Sequence, residues 1–193
     1  LHDSYLSVIK SLEHSAMRCG RKLEIVWVES TDLEPETESA NKSNFHTAWQ
    51  LVCKADGILV PGGFGSRGIE GMIAAAKWAR ENKVPYLGVC LGLQIAVIEF
   101  VRNVLGKKEA SSIEFDPELT EENQAVVYMP EIDRERLGGT MRLGLRPTVF
   151  QEDSESSKIR KLYGDSAEVF ERHRHRYEVN PKLMEEISNN GLK

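Results

Sequence analysis

The chain alternates short apolar runs with helix-forming stretches, and that order constrains its fold more than any other feature. "LEIVWV" (Leu23 to Val28), "GILVPGG" (Gly57 to Gly63) and "PYLGV" (Pro85 to Val89) are brief, apolar and rich in β-branched residues, so each reads as a strand. Between and around them lie helical patterns. Tyr5, Val8, Ile9, Leu12 and Ala16 predict a helix over 4–19, stopped by Gly20. "FHTAWQLVCKA" (Phe45 to Ala55) predicts another, and Ile69, Met72, Ile73 and Ala76 mark a third. Residues 91–105 are apolar nearly all round, so that helix should be buried. Helix and strand in strict alternation give an open, mostly parallel sheet with helices on both faces, the α/β class. The strands are continuous apolar runs, as expected when both faces of a sheet are covered.

After Gly106 the pattern changes. "QAVVYMPE" (124–131) and "GGTMRLGLRPTVF" (138–150) read as strands. A helix near Ser156 to Tyr163 follows, then "HRHRYEV" (173–179), then a helix from Pro181. This half is a smaller α+β portion. Residues 30–44 are polar and aperiodic and read as a surface loop. The 193 residues suit a single domain. A net charge of −5 gives no general nucleic-acid surface, and no apolar run is long enough to span a membrane. Three cysteines without a CxxC argue against a disulfide framework and a zinc site, and point to a reducing compartment such as the cytoplasm. The first residue is Leu1, so the expectation is that further chain precedes it.

Cys90 stands at the junction of the third strand and the buried helix, in Gly88-Val89-Cys90-Leu91-Gly92. That is a G-x-C-x-G form of the nucleophile elbow, in which a sharp strand-to-helix turn exposes the middle residue. The helix N-terminus beside the sulfur should favour thiolate. The alternative is a buried structural thiol, which is the reading for Cys19 and Cys53. The second strand ends in "PGGFGSRG" (Pro61 to Gly68). Its glycines leave backbone N–H groups bare, so Gly62, Gly63 and Phe64 could form an oxyanion hole beside Cys90. A plain turn or a phosphate loop are the other options, and the phosphate loop lacks GK[ST].

These two motifs resemble class I glutamine amidotransferases. "SSIEF", "LGGTMRLG" and "ERHRHRYEVNP" follow in the order seen in the glutaminase domain of the CTP synthase family, and "DSYLSVIKSLEHS" is similar to its fungal members. The resemblance covers nearly the whole chain. It implies that Cys90 forms a γ-glutamyl thioester from L-glutamine and that ammonia passes to a synthetase domain of the same chain, which uses ATP and Mg to aminate UTP. It also implies that this domain itself needs no cofactor or metal, with GTP as an activator. Gly63 and the N–H of Leu91 would line the oxyanion hole, with Gly62, Phe64, Gly92 and Leu93 around it. Gln94, Glu114 and Arg176 match positions that hold glutamine. A carboxylate suits the α-ammonium and a guanidinium fork suits the α-carboxylate. "LGGTMRLG" resembles a lid linked to activation by GTP, with Thr140 and Arg142 on it, Gly138 and Gly139 as hinges, and Arg67 across the mouth. A surface turn with ordinary arginines is the equal alternative.

The base for the thiol is harder to place. His173 and His175 would share one strand face with Glu178 on the other, which weakens them as a catalytic pair. The family carries its His and Glu in an [FY]-H-P-E stretch downstream of this region, so His173 and His175 read as structural or outer-shell residues. The expectation is a domain over 1–193 that is part of a longer enzyme, lacking the upstream synthetase domain and the complete triad, and therefore without glutaminase turnover of its own. Two further readings stand beside it. One is a regulatory or assembly module, given that eukaryotic relatives resemble the chain around "FHTAWQ" and form tetramers and filaments, with His46 and Trp49 as candidate contacts. The other is a different cysteine hydrolase of the same superfamily.

Overall fold

The computed structural model describes residues 2–130, 132 and 141–192. The mixed α/β class expected from the sequence is present. Helix α1 (Leu6–Arg18) ends at Cys19, and Gly20 takes a positive φ of 60° there. Helix α1 forms as its periodicity predicts, yet it buries none of its residues. Residues 23–28 do not form the expected strand. Their apolar side chains serve packing instead: Val28 lies against the cluster of Leu33, Ala48, Val52 and Ala75, while Val26 and Trp27 stay exposed.

The expected loop at 30–44 is largely helical. A 3-10 turn at Ser30–Leu33 leads into α2 (Pro35–Ala40) and α3 (Lys42–Lys54). Local caps explain this better than periodicity does. Pro35 occupies the first helical position, where its missing N–H costs nothing. Asn41 caps α3 by accepting from the Asn44 N–H at 3.2 Å.

Strands β1 (Ile58–Val60) and β2 (Tyr86–Gly88) pair in parallel, with Val60 opposite Gly88. Helices α4 (Ile69–Asn82) and α5 (Leu91–Asn103) follow them. Both strands therefore end at one edge, and the turns that leave them start side by side. Helix α5 is buried as predicted, with Ile95, Ile98 and Val101 fully enclosed. Each such side chain stabilises by roughly 1.5–3 kcal/mol, which anchors the helix that Cys90 caps. Two ion pairs fix α4 to α5. The Arg80 guanidinium donates from Nε and Nη2 to the buried Glu99 carboxylate at 2.8–3.2 Å, and Arg102 Nη1 meets Glu70 at 2.8 Å.

The second half supplies β3 (Ser111–Ser112), β4 (Gln124–Tyr128), β5 (Arg142–Val149), α6 (Lys158–Leu162), β6 (Glu168–His175), β7 (Tyr177–Val179) and α7 (Met184–Asn189). Strand β4 lies between β3, parallel, and β7, antiparallel. Strands β5 and β6 form a separate antiparallel ribbon from Arg142–His175 to Val149–Glu168. Sheet and ribbon are joined at Arg176, where the chain bends between β6 and β7. Val126, Ala125 and Tyr177 carry the second half into the same core as α4 and α5.

Candidate active site

Cys90 is the N-cap of α5, with φ 53° and ψ −103°. An L-residue is crowded there, a strain of about 1–3 kcal/mol that survives only where the surroundings over-determine it. They do so here. The Val89 N–H donates to the Val60 carbonyl at 3.0 Å, and the Cys90 carbonyl accepts from Leu93 and Gln94, each at 3.1 Å. The Tyr86 hydroxyl donates to the Gly92 carbonyl at 2.8 Å. Both motif glycines are required by close approach. A Cβ on Gly88 would lie 2.4 Å from the Gly92 carbonyl oxygen, and one on Gly92 would lie 2.1 Å from the Val60 oxygen. The elbow read from the sequence is thus a steric necessity of these two strands and this helix.

The glycine turn meets the elbow as expected. A Cβ on Gly62 would sit 3.4 Å from Cys90 Cβ, and one on Gly63 would sit 3.2 Å from Leu91 Cδ2. Phe64 and Leu93 are both exposed at this rim. Gly92 and Leu91 are buried.

Ionisation of the sulfur departs from the sequence reading. Cys90 is half-buried, and that burial pushes its thiol up from the ordinary value. The Leu91 N–H at the helix start opposes this by hydrogen bonding to the sulfur, and Arg174 opposes it electrostatically, whereas the Glu114 charge adds to the rise. Helix-end stabilisation is present but loses to desolvation. Cys19 and Cys53 depart too: both are exposed, not buried structural thiols. Cys19 caps α1, which buries nothing, and Cys53 lies on the outer side of α3.

Of the three residues named from the resemblance, Glu114 lies within electrostatic reach of Cys90 and of Arg176, and Gln94 follows Cys90 by one helical turn. Glu114 Oε1 accepts from the Gly65 N–H at 3.3 Å, which ties it to the glycine turn. Burial raises its carboxyl, and the Gly65 bond and the Arg176 charge pull it back down. Gln94 Oε1 and Arg176 Nε are buried with no hydrogen-bond partner in the protein. Such atoms cost about 1–3 kcal/mol each when nothing pairs with them. A donor-acceptor ligand would relieve both.

The lid residues are less informative. Thr140, Gly138 and Gly139 lie outside the described residues. Arg142 opens β5 opposite His175. Arg67 is well exposed and lies 3.9 Å from Glu29. His46 is exposed on α3, its ring edge-on to Phe45 at 5.7 Å, and Trp49 also contacts Phe45. Sequence reasoning missed Arg174 and Tyr86. The alternation of Arg172 and Arg174 along β6, with Arg176 just beyond its end, was the available signal for the first. Nothing in the sequence marks a tyrosine at a strand start as a brace for the elbow. Among the described residues, no cluster of three or more His, Cys, Asp and Glu could hold a metal ion, and no helix is long and apolar enough to cross a membrane.

A strained cysteine at a strand-to-helix turn, beside a glycine turn that also binds the Glu114 carboxylate, has the geometry of a nucleophile elbow. Residues 1–193 match the family described as Glutamine amidotransferase class-I. The chain belongs to that family. CTP synthase 1 of Saccharomyces cerevisiae is 67% identical over 192 residues, covering 100% of this chain and 33% of that protein. CTP synthase of Schizosaccharomyces pombe is 65% identical over 192 residues, covering 100% and 32%. The glutaminase domain of Trypanosoma brucei CTPS with bound acivicin superimposes with a TM-score of 0.83 at 42% identity, covering 98% of this chain and 67% of that one. This amidotransferase domain therefore spans about a third of the length of the curated relatives it matches. Within its family, the likeness is to CTP synthases.

Proposed function

We propose that this domain is the glutaminase part of a CTP synthase. Cys90 thiolate attacks the side-chain amide carbon of L-glutamine. The carbonyl π-electrons move to oxygen, and the N–H groups of Gly63 and Leu91 receive that oxyanion. Collapse expels ammonia, with a proton delivered to the leaving nitrogen, and leaves a γ-glutamyl thioester. Water then cleaves the thioester to glutamate and regenerates the thiol. Glu114 holds the α-ammonium, Arg176 the α-carboxylate, and Gln94 supplies a further polar contact. The ammonia is consumed in ATP-dependent amination of UTP by a synthetase domain of the same polypeptide. GTP activation, tetramer or filament assembly, pyrimidine biosynthesis and a cytoplasmic setting follow from the same reading.

One observation carries it: Cys90 alone of the three thiols sits in the strained elbow beside the glycine turn, which is also bound by the Glu114 carboxylate. A diazo-ketone analogue of glutamine tests it. Such a reagent should label Cys90 and spare Cys19 and Cys53, although both of those are more exposed. Labelling in order of exposure would refute the reading. In the full-length enzyme, Cys90→Ser should abolish CTP formation from glutamine and leave formation from free ammonia intact.

A further inference from the structure

We propose that His173 and His175 form a hydrogen-bonded relay that fixes the bend presenting Arg176, and so act as positioning residues for the substrate carboxylate. The inference rests on the glutamine reading of the site. Its basis is a chain of contacts along one strand face. His173 Nδ1 lies 3.1 Å from His175 Nε2, and His175 Nδ1 lies 3.1 Å from the Tyr177 carbonyl oxygen. The two rings are tilted by 44° to one another, 5.3 Å between centroids.

The partners dictate the proton positions. A carbonyl only accepts, so His175 Nδ1 carries hydrogen. The neutral ring then offers Nε2 as an acceptor, and His173 Nδ1–H fills it. The relay thus reads His173 to His175 to the Tyr177 carbonyl. It spans the break between β6 and β7, where Arg176 sits outside both strands.

From the other side the same bend is held by the Met129 N–H, which donates to the Arg176 carbonyl at 3.0 Å. Tyr177 is pinned as well, stacked on Tyr128 at 4.8 Å and buried in the core. The backbone on either side of Arg176 is therefore fixed by two independent bonds. Its side-chain Nε, unpaired and buried, is left for a ligand. A binding group holds its geometry only when the backbone beneath it is locked, and His175 supplies that lock.

The experiment uses the purified chain, with Cys90 labelling by the diazo-ketone analogue and protection by L-glutamine as readout. His175→Ala should raise the half-protecting glutamine concentration by about fivefold to tenfold, the worth of one net hydrogen bond. His175→Asn, whose amide N–H can stand where Nδ1–H stood, should recover most of the loss. His175→Gln, which mimics Nε2 instead, should not. His173→Ala should cost about twofold to threefold, because it removes only the bond that sets the tautomer. Labelling of Cys90 by iodoacetamide should stay the same in all four, since the elbow is untouched. Equal protection in wild type and His175→Ala overturns the relay, as does equal rescue by Asn and Gln. No protection of the wild type overturns the glutamine reading itself, and the relay with it.

Discussion

Gly92→Ala sets two physical effects against each other, and the structure decides the winner. Within a helix alanine is favoured over glycine by up to about 1 kcal/mol, so propensity alone makes the variant more stable even at Gly92, the second residue of α5. The geometry says otherwise. The new Cβ would meet the Val60 oxygen at 2.1 Å and the Val60 carbonyl carbon at 2.9 Å. Close carbon–oxygen contacts sit at about 3.3 Å, so one of the two must retreat by roughly 1.2 Å. Neither is a flexible side-chain tip. The oxygen belongs to the last residue of β1 and accepts the Val89 N–H that sets up the elbow. Overpacking at the upper end costs about 3 kcal/mol, and losing that hydrogen bond adds about 1 kcal/mol. After the helix gain, the net loss is about 3 kcal/mol. For a chain of this length that lowers Tm by roughly 6–12 °C. Urea and thermal unfolding of wild type, Gly92→Ala and Gly20→Ala would measure it. Gly20 is the control: its φ is 60° and nothing lies within 4 Å of an added Cβ, so strain of about 1–2 kcal/mol is its whole cost. A Gly92→Ala protein as stable as wild type, or less affected than Gly20→Ala, would refute the steric account of the motif.

The thiol and the ion pair give two more tests. Burial raises the Cys90 thiol and Glu114 raises it further, so wild-type alkylation should inflect above the pH of an ordinary thiol. Glu114→Gln removes a negative charge from beside the developing thiolate, so the inflection should move to lower pH and the rate at neutral pH should increase; an unmoved or higher inflection contradicts the assignment. Arg80→Met leaves the Glu99 carboxylate, 2% exposed, without its guanidinium. It should cost about 2–3 kcal/mol, below the full penalty of a buried pair because Arg80 is itself partly exposed, and Arg80→Met with Glu99→Leu should recover most of it by urea unfolding.

What was legible in the sequence follows from what each signal measures. The buried helix α5 announced itself by being apolar all round, and the elbow by glycines whose spacing has a steric cause. The strand at 23–28 did not form because apolar, β-branched composition reports burial, not a hydrogen-bonding neighbour, and Val28 finds burial against a side-chain cluster instead. The helices at 35–54 were missed in part because their starts are set by Pro35 and the Asn41 cap, while periodicity in "STDLEPETESANKSN" is weak. Gln94, Glu114 and Arg176 could not be told from surface residues by composition or spacing. They are 20 to 82 residues apart in sequence, and only the resemblance singled them out. Two of the three leave a buried polar atom unpaired, as do Trp49 and Arg160, so burial alone does not single them out either.

The ionisation of Cys90 shows where reasoning from a motif stops short. A helix N-terminus contributes a fixed, local preference for negative charge, of about 0.3–1 kcal/mol at the surface. Desolvation grows with whatever the rest of the chain packs around the sulfur, and no motif encodes that. Here the surrounding turn is tight because Gly88 and Gly92 admit no side chain, so the same closeness that exposes the nucleophile to the glycine amides also takes water from it. The two effects are therefore coupled by construction. A more open elbow would ionise more readily and present fewer aligned N–H groups to an oxyanion. The balance is set instead by charges brought from distant parts of the chain, Glu114 in the turn after β3 raising the thiol and Arg174 on β6 lowering it. A ligand whose ammonium offsets the Glu114 charge shifts that balance toward thiolate, which makes the reactivity of Cys90 depend on occupancy of the corner that Glu114 and Arg176 share.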